Sequence, residues 1–271
     1  MVKRLTRIVK VLIGCIFFII DELYEMIVRM VGQKCRGRCV ILYYHSIRDE
    51  QKAAFAWQMD RFRSLVTPVS GIDDVSSDAN GRYGMITFDD GYESVIKNAL
   101  PQLRARNLPC TVFIPTGSIG ARPQWVQNSS HAFYSERVVN PEQISQLASE
   151  KLVIIGSHGV SHANSCRLSD DEYGREIVES KNVLEDMING PVTVFSFPYG
   201  KYLERHLDML HAAGYNRAFS IEPKVERPGS DKFLLGRIPV NPDDWRIEFI
   251  LKLSGAYRWQ TWRYRRKNNC G

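Results

Sequence analysis

Met85-Ile86-Thr87-Phe88-Asp89-Asp90-Gly91-Tyr92 runs a short strand-forming segment straight into two adjacent carboxylates and a glycine. Along a strand, consecutive side chains point to opposite faces. At a strand's end that alternation breaks, and Asp89 and Asp90 can converge on one cleft. One carboxylate can then hold a cation while the other stays free as a base. Gly91 permits the tight turn that a bulkier residue resists. By itself, Asp-Asp-Gly is more often a simple acidic turn at a strand end.

Two further stretches change that balance. Gly156-Ser157-His158-Gly159-Val160-Ser161-His162 follows the apolar run Leu152-Val153-Ile154-Ile155. Histidines four apart share one face of a helical turn, which is the conformation expected here. Imidazole together with carboxylate is a common ligand set for zinc and other divalent metals. Phe195-Ser196-Phe197-Pro198-Tyr199-Gly200 likewise closes the run Val192-Thr193-Val194.

In this order, Thr-Phe-Asp-Asp-Gly, Ser-His-x-x-x-His and Phe-Pro-Tyr-Gly resemble the motifs of the polysaccharide deacetylases, the NodB-homology enzymes of carbohydrate esterase family 4. The resemblance runs over roughly residues 39–245, and Leu42-Tyr43-Tyr44-His45-Ser46-Ile47, with Phe55 and Gln58, is similar to the start of many members. It implies a metal-dependent hydrolase that removes N-acetyl groups from the amino sugars of a cell-surface or exopolysaccharide glycan. Asp90, His158 and His162 would hold the metal and Asp89 would be the base. The backbone N–H of Tyr199, after Pro198, would hold the oxyanion, with Pro198, Tyr199 and His45 beside the substrate. Zinc is the expected metal, although two histidines and an aspartate also suit cobalt, nickel or iron.

Two positions depart from the family pattern. The family often has arginine two residues before the motif proline, where this chain has Ser196. It often ends on a Leu-x-His motif that supplies a general acid, and the corresponding segment here is Leu235-Gly236-Arg237-Ile238-Pro239-Val240. A guanidinium binds a carboxylate through a planar, bidentate fork. Arg237 is therefore expected to orient Asp89, and His45 is the candidate for the missing acid. Other readings are a deformylase or amidase acting on a lipid-linked sugar or a non-sugar amide, and a carbohydrate-binding barrel that has lost catalysis.

Apolar runs at residues 39–45, 85–89, 110–115, 152–157, 192–197, 217–221 and 234–240 read as seven strands, separated by helical segments. That alternation predicts an α/β fold with a parallel sheet and right-handed crossovers. Closed up, it is a distorted seven-stranded (β/α) barrel, the NodB-homology architecture, and every motif sits at the C-terminal end of its strand, where such barrels keep their active sites. Residues 170–188, capped by Ser169 and stopped at Asn189-Gly190, form the clearest amphipathic helix. Residues 92–107 read as a helix kinked or broken at Pro101.

With 271 residues, 44% hydrophobic and 24% charged, the chain can bury a real core. The organisation expected is an N-terminal helix and linker over 1–38, a barrel over 39–255 and a basic aromatic tail over 256–271. The charge of +6 lies at the two ends, because residues 1–38 and 256–271 each carry a net +5. Val11–Ile20 is apolar but shorter than the ~20 residues that span a bilayer, and no small-residue cleavage site follows it. Leu5, Ile8, Leu12, Ile16, Ile20, Tyr24, Ile27 and Val31 fall on one helical stripe. This predicts an amphipathic or anchor helix on a bacterial inner membrane, or else a helix packed on the barrel. Tryptophan, tyrosine and arginine interleave over residues 257–267, which suits a membrane interface or a packed aromatic helix, and no nucleic-acid module accompanies them. Nothing in the sequence sets an oligomeric state. The six cysteines are scattered, which favours unpaired thiols and a reducing compartment. The spacing Cys35-x-x-x-Cys39 reads as incidental.

Overall fold

The structure, a computed structural model, describes residues 2–33, 37–75, 81–227 and 232–268. Its strands are β1 (Arg38–Tyr44), β2 (Thr67–Pro68), β3 (Arg82–Phe88), β4 (Cys110–Ile114), β5 (Val153–Ser157), β6 (Val194–Ser196), β7 (Arg217–Phe219), β8 (Leu234–Leu235) and β9 (Ile238–Pro239). All pairings between them are parallel, in the order β8-β7-β6-β5-β4-β3-β1-β9, with β2 added beside β3. The helices are α1 (Val2–Met30), α2 (Lys52–Leu65), α3 (Leu100–Arg104), α4 (Pro141–Ala148), α5 (Asp170–Ile188), α6 (Glu204–Ala212), α7 (Arg246–Leu253) and α8 (Thr261–Asn268).

The seventh expected strand is two short ones. Leu234–Leu235 pairs with β7, and Ile238–Pro239 pairs with β1, so a single segment touches both edges of the curled sheet. Gly236 and Arg237 form the break between them. A Cβ on Gly236 would lie 2.4 Å from the Glu222 carbonyl oxygen. Pro239 has no N–H to give a ladder, which limits β9.

Alternation divides the strand side chains between two clusters. Cys39, Ile41, Met85, Phe113, Phe219 and Leu235 fill the inside of the barrel, while Val40, Leu42, Tyr44, Ile86, Phe88 and Val112 face the helices. Tyr43 and Thr87 continue the inner rows, and both meet Arg237.

α5 keeps the expected bounds, with the Ser169 hydroxyl accepting from the Glu172 amide and Asn189 ending the helix at φ 49°. The expected helix at 92–107 is broken. A five-residue π turn over Val95–Ala99 precedes α3, and Pro101 sits in the first turn of α3, where its missing N–H is not needed. α1 packs along α7 and the 3₁₀ turn Ala256–Gln260, with Gly14 against Tyr257 and Leu251.

Cys166 is disulfide-bonded, which corrects the expectation of unpaired cysteines and removes its support for a reducing compartment. Cys15, Cys39 and Cys110 are free, whereas Cys35 and Cys270 lie outside the described residues. Burial pushes the Cys39 thiol up to about 12.

Candidate active site

Asp89 follows β3 and continues its inner row, anchored by its amide donating to the Tyr44 carbonyl at 2.9 Å. Strict alternation would turn Asp90 away. Instead Asp90 takes φ 68° and Gly91 φ 57°, a left-handed corner that brings the second carboxylate back into the same cleft. A Cβ on Gly91 would lie 3.1 Å from Ile114. Both aspartates are 3% exposed.

His158 and His162 follow β5 in a loop, so the expected helical turn does not form. His162 has φ 57°, and this left-handed residue, rather than helical spacing, brings the second ring beside the first. The ring centroids are 4.9 Å apart. His158 Nε2 lies 3.6 Å and His162 Nε2 3.2 Å from Asp90 Oδ1. One donor atom from each of Asp90, His158 and His162 falls within 4.8 Å of the others, and all three residues are buried.

The donor chemistry fits a divalent cation. His158 Nδ1 is 2.7 Å from the Ser196 carbonyl oxygen, to which it donates, and this leaves Nε2 as the unprotonated ligand nitrogen. Asp90 Oδ1 and His162 Nδ1 are buried without a hydrogen-bond partner, while His162 Nε2 stands 3.2 Å from Asp90 Oδ1. Orphaned buried polar atoms of this kind call for a missing partner. Burial alone would raise the Asp90 carboxyl, but His162, His45 and His158 hold it below the usual carboxylate range. Burial lowers His158 to about 4.

Arg237 stands behind Asp89. Its Nη1 and Nη2 donate to Asp89 Oδ1 and Oδ2 at 2.7 and 2.8 Å, the bidentate fork. Nη2 also donates to Ser196 Oγ at 2.7 Å, Nη1 to Thr87 Oγ1 at 3.1 Å and Nε to the Ser220 carbonyl at 3.1 Å. The guanidinium is fully buried and lies 4.8 Å from the Tyr43 ring centroid and 5.4 Å from that of Phe113. Burial would raise the Asp89 carboxyl, but the charge and hydrogen bonds of Arg237, together with His158 and His45, outweigh it, so Asp89 sits below its ordinary value. Ser196, at the position where the family often carries arginine, donates to Asp89 Oδ1 at 3.2 Å and so joins the same network.

A cleft of about 360 Å³ opens over these groups. Tyr199 reaches it in a left-handed conformation, φ 58°, with its ring edge-on to His162 at 4.7 Å and half exposed. Pro198, just before it, is buried in a 3₁₀ turn. His45 lies on the cleft wall, stacked on Phe133 at 5.4 Å.

Trp125, His131 and Phe133 also line the cleft, and sequence reasoning did not find them. Trp125 stacks on His162 at 4.1 Å and 18°. All three belong to the long segment between β4 and α4, pinned by bridges from Val138 to Tyr92 and Ile119. The length of that segment and its aromatic content were the available signal, since long irregular loops in compact domains are usually functional.

A family model described as polysaccharide deacetylase matches residues 76–218. This chain belongs to that family. The expectation raised by the three motifs is met, and the distorted parallel barrel agrees with solved deacetylases. IcaB from Ammonifex degensii superposes with a TM-score of 0.68 at 23% identity, covering 81% of this chain and 98% of that one. The Streptococcus pyogenes deacetylase PplD gives 0.65 at 18% identity, over 81% and 99%. A Staphylococcus aureus poly-β-1,6-N-acetyl-D-glucosamine N-deacetylase is 24% identical over 62% of this chain, and the match spans 57% of that relative's own length.

Proposed function

We propose that this member of the deacetylase family is a metal-dependent hydrolase that removes N-acetyl groups from the amino sugars of a poly- or oligosaccharide. The observation that carries the reading is the buried Asp90–His158–His162 triad beside an aspartate clamped by arginine, under an open cleft. The poly-β-1,6-N-acetyl-D-glucosamine N-deacetylase activity for which the staphylococcal relative is named supports the same substrate class. The metal we propose is zinc, held by Asp90, His158 and His162. When bound, such a cation polarises the acetamide carbonyl and lowers the pKa of a water.

The chain's own residues account for the rest. Asp89 takes the proton of the attacking water. Each carboxylate oxygen has two lone-pair directions, so Oδ2 accepts from Arg237 and keeps one for the water. Arg237 holds the carboxylate ionised and aimed. The Tyr199 amide, in its left-handed turn after Pro198, donates to the developing oxyanion. His45 lies close enough to depress both aspartates, and we assign to it the protonation of the departing amine.

The test is acetate release from β-1,6-linked N-acetylglucosamine oligomers by chelated and by zinc-reloaded protein. Release by the reloaded protein alone is expected. Sugar binding without release under any metal would instead indicate a binding barrel, and formate release from N-formyl sugars would indicate a deformylase.

A further inference from the structure

The short loop between His158 and His162 is gripped on both edges. On one edge its amides meet side chains. Val160 donates to Glu176 Oε2 at 2.7 Å, and Ser161 donates to both oxygens of the same carboxylate, at 3.0 and 3.2 Å. The Ser161 hydroxyl donates to Glu176 Oε1 at 2.5 Å. The Gly159 amide donates to Ser157 Oγ at 3.2 Å, and that hydroxyl lies 2.7 Å from Ser180 Oγ. Glu176 and Ser180 are four apart on α5 and share one face of it. On the other edge, the Gly159 and Val160 carbonyls accept from the amides of Thr116 and Gly117, at 3.0 and 2.8 Å. The fit is close, since a Cβ on Gly159 would lie 2.9 Å from Glu176 Oε2 and one on Gly117 2.8 Å from the Val160 carbonyl oxygen.

The two imidazoles owe their directions to different things. His158 is aimed by its own ring, through Nδ1 and the Ser196 carbonyl. His162 Nδ1 is buried without a partner, so no hydrogen bond at that nitrogen aims the second ring. Its direction comes from the rings beside it, Trp125 and Tyr199, and from the backbone that carries it. That backbone is left-handed, φ 57°. A residue other than glycine keeps such a conformation only where the surrounding structure holds it. The two residues immediately before His162 are the ones whose amides Glu176 takes.

We propose that Glu176 is a positioning residue for the metal. By gripping the Val160 and Ser161 amides from α5, it fixes the left-handed corner at His162 and so aims that imidazole at Asp90 and a divalent cation. The inference rests on reading Asp90, His158 and His162 as a metal site. Glu176 does not line the cleft, and its effect reaches the metal only through the loop. A carboxylate that merely stabilised this loop would change the melting temperature of the chelated protein and leave metal affinity alone. One that positions His162 changes metal affinity itself, as groups that orient a ligand do.

The test titrates zinc into the full chain against a competing chromophoric chelator, at a temperature well below the melting point of each chelated protein. Glu176→Met keeps a long side chain that suits a helix but offers the amides no oxygen. It is expected to weaken zinc binding by about 10–100-fold. Glu176→Gln keeps one oxygen for both amides, and its NH₂ can donate to Ser161 Oγ, so it is expected to bind zinc within a few-fold of wild type. Ser161→Ala removes only the hydroxyl contact and is expected to do the same. If Glu176→Met folds poorly, Glu176→Asp serves, because its carboxylate stands one methylene short of the loop and zinc binding should weaken at least several-fold. Wild-type zinc affinity in Glu176→Met or Glu176→Asp overturns the proposal, whatever the melting temperature of the chelated protein does. An equal loss in Glu176→Gln also overturns it, by tracing the effect to charge rather than to the grip on the amides. A wild-type protein that binds no zinc overturns the metal reading itself, and this inference with it.

Discussion

Arg237 has five N–H donors, and the structure gives each an acceptor: the Ser220 carbonyl, Thr87, Ser196 and both oxygens of Asp89. Taking two charges out of water costs several kcal/mol per ion, and only good geometry with full hydrogen bonding offsets it. Here that condition is met on the arginine side. Removing the guanidinium outright would strand a buried carboxylate at a cost of roughly 3–5 kcal/mol, which would confuse folding with catalysis. Arg237→Lys keeps the charge but replaces a planar fork with three donors on one atom. We expect kcat to fall about 100-fold, as for other small misplacements of a reacting group, with bound metal unchanged by elemental analysis and KM little altered. A near-normal kcat would remove Arg237 from the orienting role. At His162 the partner to test is Trp125, whose indole stacks on the imidazole. Trp125→Ala should weaken zinc affinity by about 10–100-fold in a competition titration, the usual cost of losing a group that orients a ligand; unchanged affinity would mean that the stack does not position the ring.

At the scale of elements, the sequence disclosed most where chemistry restricts residue type. Asp89, Asp90, His158 and His162 stood out because two carboxylates and two imidazoles at strand ends have few other uses. It disclosed less where one pattern serves two geometries. A His-x-x-x-His spacing fits a helical turn, and it equally fits a loop with a left-handed residue, which is what forms at His162. The apolar stripe of α1 was visible, but which face would meet the barrel was not, because the helix is apolar on both sides: Val11, Cys15, Phe17 and Phe18 pack inward beside ion pairs to Arg38, Arg82 and Arg258, while Leu12, Ile16 and Leu23 stay exposed. The split of the last strand depends on how Gly236 and Arg237 fill the barrel, a tertiary effect with no local signal. Strand packing makes its own prediction at Gly156. A Cβ there would lie 2.5 Å from Phe113 and 2.8 Å from Val194. Gly156→Ala should cost about 1–3 kcal/mol by overpacking, seen as a fall in melting temperature of several degrees. An unchanged melting temperature would show that the interior can yield.

Over the whole molecule, the barrel brings the candidate ligands and base from the ends of β3 and β5, and Arg237 from the break between β8 and β9, to one end, so a bound metal would become part of the folded state. A ligand that binds only the native protein stabilises it by about 2.7 kcal/mol at 100 times its Kd. Zinc added to chelated protein should therefore raise the melting temperature by several degrees, and His158→Ala/His162→Ala should abolish the rise. This reads binding without reference to turnover, so it separates the triad from the base. The most direct measurement combines the two on Asp89→Asn, following the zinc-induced rise in melting temperature and acetate release from N-acetylglucosamine oligomers in the same preparation. The account predicts that the thermal rise is retained while acetate release falls by about 10²–10⁴-fold, the usual contribution of a positioned general base. Acetate release near the wild-type rate with the metal still bound would contradict it.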